Sequence, residues 1–506
     1  MLALGVDSGT QGTKALLVKA DSGEVIGRGY ARHQSITGLK PGESEQDPRD
    51  WVRAMEEAIG QALKTAAVNP REVACLGISG QQHGFVPLAA DHQPLRPAKL
   101  WNDTSTVEET EEIIRALGGR KAFTEKLGIS LAVGYTASKI LWMKRHEPDK
   151  YARLKLILLP HNYLNLYLTG QVHMEYGDAS GTGLMDIRKR AWHPEVLQAI
   201  DPELEKKLPP ISHPAEPVGL VRKDVALKFG FERVLVAAGG GDNMMAAIGT
   251  GNVSEGISTV SLGTSGTVFS YSSRPFIDPE GEIAAFCDST GGWLPLLCTM
   301  NVTNTTELLK ELLLIDNQEL ERLAAETGAG AAGLLFLPFI DGERVPVLPE
   351  SSGVLFGLNR QNFNRGHLTR AIMEGTVFNL GYGFSRMKAL GLRPSEIRAT
   401  GGGARSRTWL RILADVLEAP VVTLKEPESA AYGAALQAIW CLKRQESPDL
   451  KISDLVKDLV KKDSLAINPN PEHSAMYREL QERFNSIWQK LAREFSEHRR
   501  LIRNRF

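Results

Sequence analysis

"LGVDSGTQGTKALLV", residues 4–18, carries alternating apolar residues into Asp7, crosses a loop of glycine and hydroxyl side chains, and then resumes its apolar run. The period of two predicts a strand through Leu2, Leu4 and Val6 and a second over 15–18, joined by a tight turn. Taken alone, a loop of Gly, Ser and Thr is an ordinary turn. Residues 257–273, "ISTVSLGTSGTVFSYSS", repeat the order of strand, Gly-Thr-polar-Gly-Thr turn and second strand in the other half of the chain. Two copies of one device point to one ligand gripped from two sides.

Working outward, "KADSGEVIG" turns through Asp21, Ser22 and Gly23 into a third strand, which completes a meander. Trp51, Met55, Ile59 and Leu63 then recur four apart, the stripe of an amphipathic helix. "VACLGISG" at 73–80 is again strand-like and ends in a polar loop, so strands and helices alternate as in an α/β core. "RVLVAAGGGDNMMAAIGTG" from residue 233 reads as a buried strand over 234–238, a glycine turn and a helix beginning near Met244. "RATGGGARSRTWLRILADVL" repeats strand, glycine turn and helix in the second half. These repeats divide the chain into 1–253 and 254–440. Residues 441–506 follow as a helical extension, with Phe484, Ile487, Trp488, Leu491 and Phe495 on one face for packing on the globule; a partner-binding or disordered basic end is the alternative.

A chain of 506 residues exceeds what one hydrophobic core serves, which agrees with two domains. Its 59 Lys plus Arg against 60 Asp plus Glu leave no electrostatic footprint for nucleic acid and no attraction to an anionic membrane. Cys75, Cys287, Cys298 and Cys441 lack metal-ligand spacing and suit a reduced compartment. With no export segment and no long apolar run, the expectation is a cytoplasmic protein.

The common nucleotide loops are absent: there is no G-x-x-x-x-G-K-[ST], and neither "GGGDNM" nor "GTGNVSEG" completes G-x-G-x-x-G. In the two hairpin turns, backbone N–H groups and the hydroxyls of Thr10, Thr13, Thr264, Ser265 and Thr267 can converge on phosphate oxygens. Asp7 beside such a cradle repels phosphate unless a divalent cation lies between them, which points to magnesium. Aligning the turns sets Asp7 opposite Ser261, so one copy keeps an acid and the other omits it. Asp242 stands where a strand gives way to a helix, either as a helix cap or as a cleft carboxylate.

"GVDSGTQGTKALLV", "ISGQQHGFVPL", "LRPAKLWND", "AAGGGDNMMAAIGTG", "TVSLGTSG", "LFLPFIDGERVP" and "GGGARS", in this order over roughly residues 1–440, resemble the FGGY carbohydrate kinases. The resemblance implies an α/β fold of two actin-like (ribonuclease H-like) domains with a central interdomain cleft that closes during turnover. It implies ATP and Mg2+ as cosubstrates and a small-molecule ketopentose as acceptor, D-xylulose phosphorylated at its C5 hydroxyl. Asp242 would then be the general base and, with Asp7, would face the metal. Gln82, His83, Trp101, Asn102, Asp103, Asp242 and Asn243 would bind the sugar; family members acting on xylulose typically carry methionine where this chain has Gln82. Thr10, Gln11, Thr13, Lys14, Gly263, Thr264, Ser265, Gly402, Gly403 and Ser406 would serve ATP, while Gly342, Glu343 and Arg344, in a signature loop near the domain interface, would order the closed cleft without touching substrate. "PESAAYGAA" departs from the more acidic, glycine-rich segment usual in the family. A homodimer is a further expectation. The alternatives are a kinase for another ketose or polyol such as ribulose, a non-catalytic sugar-binding regulator, and an actin-like ATPase, which has no need of "GQQHG" and "WND".

Overall fold

The computed structural model describes residues 1–463 and 466–503. The chain forms two compact units that interleave in sequence: residues 1–254, 271–294 and 428–461 in the first, and 255–270, 295–427 and 462–506 in the second. The sequence reading drew three contiguous segments. In the structure the change near residue 254 is present, but the first unit also takes in 271–294 and recruits a late stretch, and the tail is shared out between the units.

The first unit is built on a seven-stranded sheet. Gly219–Leu220, Leu235–Val236, Val73–Gly80, Leu2–Ser8, Gly12–Lys19 and Val25–Arg32 follow one another across it, and Gly240–Gly241 also pairs with Val73–Gly80. The three opening strands run antiparallel, whereas Val73–Gly80 lies parallel to Leu2–Ser8. The helix Pro48–Ala66 covers this sheet. Asp47 caps it by accepting from the Arg49 N–H, Pro48 stands in its first turn, and Trp51, Met55, Ile59 and Leu63 are buried.

The second unit repeats the plan. Gly266–Ser270 pairs antiparallel with both Ile257–Leu262 and the end of Trp293–Thr299, while Glu396–Thr400 runs parallel to Ile257–Leu262 and is followed by Val421–Val422. Its long helices Arg365–Ala389 and Pro471–Arg503 meet in an aromatic core containing Phe339, Phe378, Tyr477 and Phe484. The expected apolar face of the tail is that core's edge: Ile487 and Phe495 are buried in it, and Trp488 and Leu491 pack against it. Of the basic end, Arg505 lies outside the described residues.

The helix Ser429–Lys443 is the late element that completes the first unit. It lies so near the sheet that a Cβ on Gly5 would stand 1.9 Å from the Ala431 carbonyl oxygen, and one on Gly77 2.1 Å from that of Ala434. Its other side meets the helix Asp242–Gly249, where a Cβ on Gly433 would stand 1.8 Å from the Met245 carbonyl oxygen. Gly433→Ala therefore lowers stability by about 1–3 kcal/mol, the range for overpacking a tight core. Gly60→Ala, in a partly exposed helical position with nothing within 4 Å, gains about 0.5–1 kcal/mol. Urea titration of the two variants checks the contrast; equal and small effects would contradict the close approach.

Candidate functional site

Three strand ends of the first unit come together. In the parallel register Asp7 is level with Ser79, and Ser79 is level with Gly240, so Asp7, Gln81, Gln82 and Asp242 all issue from the carboxyl side of one sheet. This is where open α/β sheets bind ligands. Ser79 Oγ donates to Asp7 Oδ1 at 2.7 Å, and burial raises the Asp7 carboxyl above the ordinary range against the opposing pull of Ser79 and Lys14. Lys14 pairs with Glu428 at 2.5 Å.

Asp242 opens the helix Asp242–Gly249, and the capping position belongs to Gly241. Its Oδ1 accepts from the Asn243 N–H at 2.8 Å and from Asn243 Nδ2 at 3.0 Å. Asn243 Nδ2 also donates to Gln82 Oε1 at 2.8 Å, tying the acid to the 80–84 loop. Burial, then the charges of Asp7 and Asp178, push the Asp242 carboxyl up to about 7. A carboxylate poised there accepts a proton at neutral pH far better than one near 4.

Behind Gln82 lies a buried polar chain that the sequence reading missed. Asn162 Nδ2 contacts His161 Nε2 at 2.8 Å, and His161 Nδ1 contacts Asp178 Oδ2 at 2.9 Å. Because the Asn162 amide is the donor, the imidazole proton sits on Nδ1 and is given to Asp178. Burial holds His161 down to about 4 and pushes Asp178 up to about 8, with Gln82 drawing the latter back. Gln82 Nε2 and Asp178 Oδ1 face each other beside Gly241 without reaching hydrogen-bond geometry. Glu175, pushed up to about 7 by burial, accepts from the N–H groups of Gly177 and Asp178 at 2.6 Å each. The run "EYGDASGTG" at 175–183, two acids three apart among small residues, was the available signal.

The expected sugar residues divide. Gln82, Asn243 and Asp242 form one hydrogen-bonded set. His83 belongs to the same loop, its ring stacked on Tyr135 at 4.4 Å and tilted against Phe286 at 5.6 Å. Trp101 Nε1 donates to Thr10 Oγ1 at 3.0 Å, so the indole braces the first turn; Asn102 is exposed. Asp103 needs correction: it is wholly buried, and its oxygens are taken by the Ser44 N–H, Lys99 Nζ and the Ser105 N–H and hydroxyl. Burial alone would raise its carboxyl, but these donors hold it below the ordinary range. Asp103 shapes the loop and has no oxygen to offer a sugar.

The two hydroxyl turns also divide. Thr10 and Gln11 stand at the open end of the first turn, where Gln46 Nε2 donates to the Thr10 carbonyl at 2.6 Å. Thr13 is corrected: it pairs with Ser8 across the hairpin, and its buried hydroxyl meets Ser8 Oγ and His33 Nε2 inside the sheet. In the second unit Gly263 donates its N–H to the Ser265 carbonyl, and Thr264 is exposed. The Val302 and Thr303 N–H groups bond to the carbonyls of Thr264 and Gly263, which seats this turn on the helix Thr303–Leu313. Next to Ile257–Leu262, Gly402 faces open space, whereas a Cβ on Gly403 would stand 2.8 Å from the Leu262 side chain. Ser406 is corrected as well: its hydroxyl caps the helix Arg407–Leu417 and donates to Glu321 at 2.5 Å. Glu343 is buried under the turn, accepting from the Met300 and Arg344 N–H groups and from Asn379 Nδ2, and burial pushes it up to about 7.

Among the described residues no group of three or more His, Cys, Asp or Glu forms a metal cage. A hydrated divalent ion held by one or two carboxylates needs none. Asp7 and Asp242, both raised by burial and with the charge of the first bearing on the second, form a donor set whose excess negative charge such an ion neutralises.

Duplicated α/β units with hydroxyl turns at the strand ends define the actin-like, ribonuclease H-like class of fold. Residues 2–249 match the N-terminal domain and 258–442 the C-terminal domain of the FGGY family of carbohydrate kinases, and the chain belongs to that family. It is 47% identical over 444 residues to a xylulose kinase of Haemophilus influenzae, covering 86% of this chain and 90% of the relative. It is 32% identical over 493 residues to a xylulose kinase of Escherichia coli, covering 96% and 99% respectively. A solved structure described as a xyloylose kinase from Brucella ovis superposes with a TM-score of 0.90 at 30% identity, covering 97% of this chain and 99% of that one.

The raised carboxyls set a dependence of stability on pH. Asp242, Glu175 and Glu343 near 7 and Asp178 near 8 retain protons in the folded protein that the unfolded chain has lost above about pH 4–5. Their contribution is complete at low pH and disappears as pH rises through 7 to 8. His161 and His173, both held near 4, act in the opposite sense but only up to about pH 6.5, where the unfolded imidazole loses its proton. The metal-free protein is therefore expected to lose thermal stability between about pH 6.5 and 8.5, and Asp242→Asn to flatten part of that slope. Thermal melts across this window check it; a midpoint that rises with pH would contradict the assignment.

Proposed function

We propose that the protein transfers the γ-phosphate of ATP to the C5 hydroxyl of D-xylulose, with Asp242 as general base. The observation that carries the reading is Asp242 itself: a carboxylate pushed toward neutrality, beginning a helix, and linked through Asn243 to Gln82 on the acceptor loop. The named relatives support the sugar, since both are xylulose kinases of nearly full-length coverage. Gln82, Asn243 and His83 orient the acceptor so that its hydroxyl faces the Asp242 carboxylate, which takes the proton as the oxygen attacks phosphorus. Thr10 and Gln11 at one hydroxyl turn, and Gly263, Thr264, Ser265 and Gly402 at the repeat of that turn, each offer the N–H groups, hydroxyls and close backbone approach that suit nucleotide phosphates. Asp7 and Asp242 are the residues that would hold Mg2+, which when bound neutralises charge on the phosphates. The free thiols support a reducing cytoplasm as its compartment.

An ADP-release assay over D-xylulose, D-ribulose, L-ribulose and glycerol is expected to give the highest kcat/KM for D-xylulose; a clear preference for another acceptor would replace it. Asp242→Asn, folded and still binding ATP, should lower kcat by roughly 10²–10⁴. Full turnover in that variant at saturating sugar would reject the base.

A further inference from the structure

Lys139 lies on the helix Thr136–His146 and is wholly buried, yet the helix presents it to the acceptor loop of the same unit. Its Nζ donates to the His83 carbonyl oxygen at 2.7 Å, and Thr136 Oγ1, one turn earlier, donates to that same oxygen at 3.1 Å. His83 has φ +62°, in the left-handed region that non-glycine residues adopt uncommonly. The side chain before Thr136 on the chain, Tyr135, stacks on the His83 ring. One short stretch of chain thus grips both the carbonyl and the ring of His83.

We propose that Lys139 is a positioning residue that fixes the His83 ring for the acceptor and thereby sets which polyol is phosphorylated, an inference that rests on reading His83 as an acceptor contact. A fully buried amine is a costly way to fill space that methionine fills as well. Among the described residues no carboxylate lies within ion-pair distance of Lys139 Nζ; Asp103 and Lys99 act on it only as charges farther off. Its one strong bond is to His83, so what the buried amine contributes is the conformation of that residue. A peptide carbonyl held by two donors cannot rotate, and with the carbonyl fixed at positive φ the Cα–Cβ direction of His83 is fixed too. The Tyr135 and Phe286 rings then leave the imidazole one orientation.

The test is a double-mutant cycle of Lys139→Met and His83→Ala, read by ADP release with D-xylulose and D-ribulose, by KM for ATP, and by thermal melting. Lys139→Met is expected to raise KM for D-xylulose about tenfold or more, to narrow its advantage over D-ribulose, and to leave KM for ATP within about twofold. Its melting temperature should hold or rise, because a buried amine without a counter-ion has been removed. In the His83→Ala background the same change should move KM by less than about twofold. An unchanged KM in Lys139→Met, an equal rise in both backgrounds, or an unchanged KM in His83→Ala would each overturn the proposal. Should Lys139→Met fail to fold, Thr136→Val removes the second donor alone and must raise KM in the same direction, again only when His83 is present. A wild-type protein idle on D-xylulose but active on another polyol would refute the substrate assignment instead, and the cycle is then read on that polyol.

Discussion

The Ser429–Lys443 helix meets the sheet and the Asp242–Gly249 helix at distances that leave no volume for a side chain at Gly5, Gly77, Gly249 or Gly433. Everything at the candidate site hangs from that contact. The depth at which the Asp242 helix sits is set by backbone touching backbone, and the helix begins with the proposed base. A single methyl group at the crossing would displace the helix, and proton transfer is sensitive to shifts of that size. Glycine here supplies closeness, and closeness supplies accuracy.

Around this frame the protein gathers buried acids whose charges are not balanced from within. Asp242 feels Asp7 and Asp178, and Glu175 and Asp178 lie one helical turn apart against His161. Such an arrangement is poor for stability and good for binding, because ligands that bring positive charge or hydrogen-bond donors relieve it. The contrast with Asp103 is instructive. It is equally buried, but four donors saturate it, and it has become part of the scaffold.

Much of this was legible in the sequence because it is local. Alternation marked the meander, the four-residue recurrence from Trp51 marked the covering helix, and the apolar face from Phe484 to Phe495 marked the tail's packing side. The repeated hydroxyl turn shows the duplication in the sequence itself. What escaped was set by long-range burial. Thr13 looks like Thr10 in the sequence, yet the strand register turns one hydroxyl inward and leaves the other near the turn's open end. Asp103 and Ser406 read as ligands because the family resemblance runs through "WND" and "GGGARS", whereas in the fold the Asp103 oxygens are taken by Lys99, Ser105 and the distant Ser44, and the Ser406 hydroxyl by the distant Glu321. The polar chain through His161 and Asp178 was missed because two separate stretches, 161–162 and 175–178, meet only on folding.

The order in which the units are encoded differs from the order in which they are completed. The first unit draws its central helix from residues 429–443, after most of the second unit has been specified. On the ribosome, where roughly 5–20 residues emerge each second, the sheet opened by Leu2–Ser8 must wait for nearly the whole chain before the face carrying Gly5 and Gly77 is covered. The amino-terminal half therefore passes through synthesis with a glycine-lined, apolar face uncovered, a natural substrate for holding chaperones. A nascent chain released before residue 443 would lose the close helix contact that sets the position of Asp242, even though every residue assigned to the chemistry had already been made.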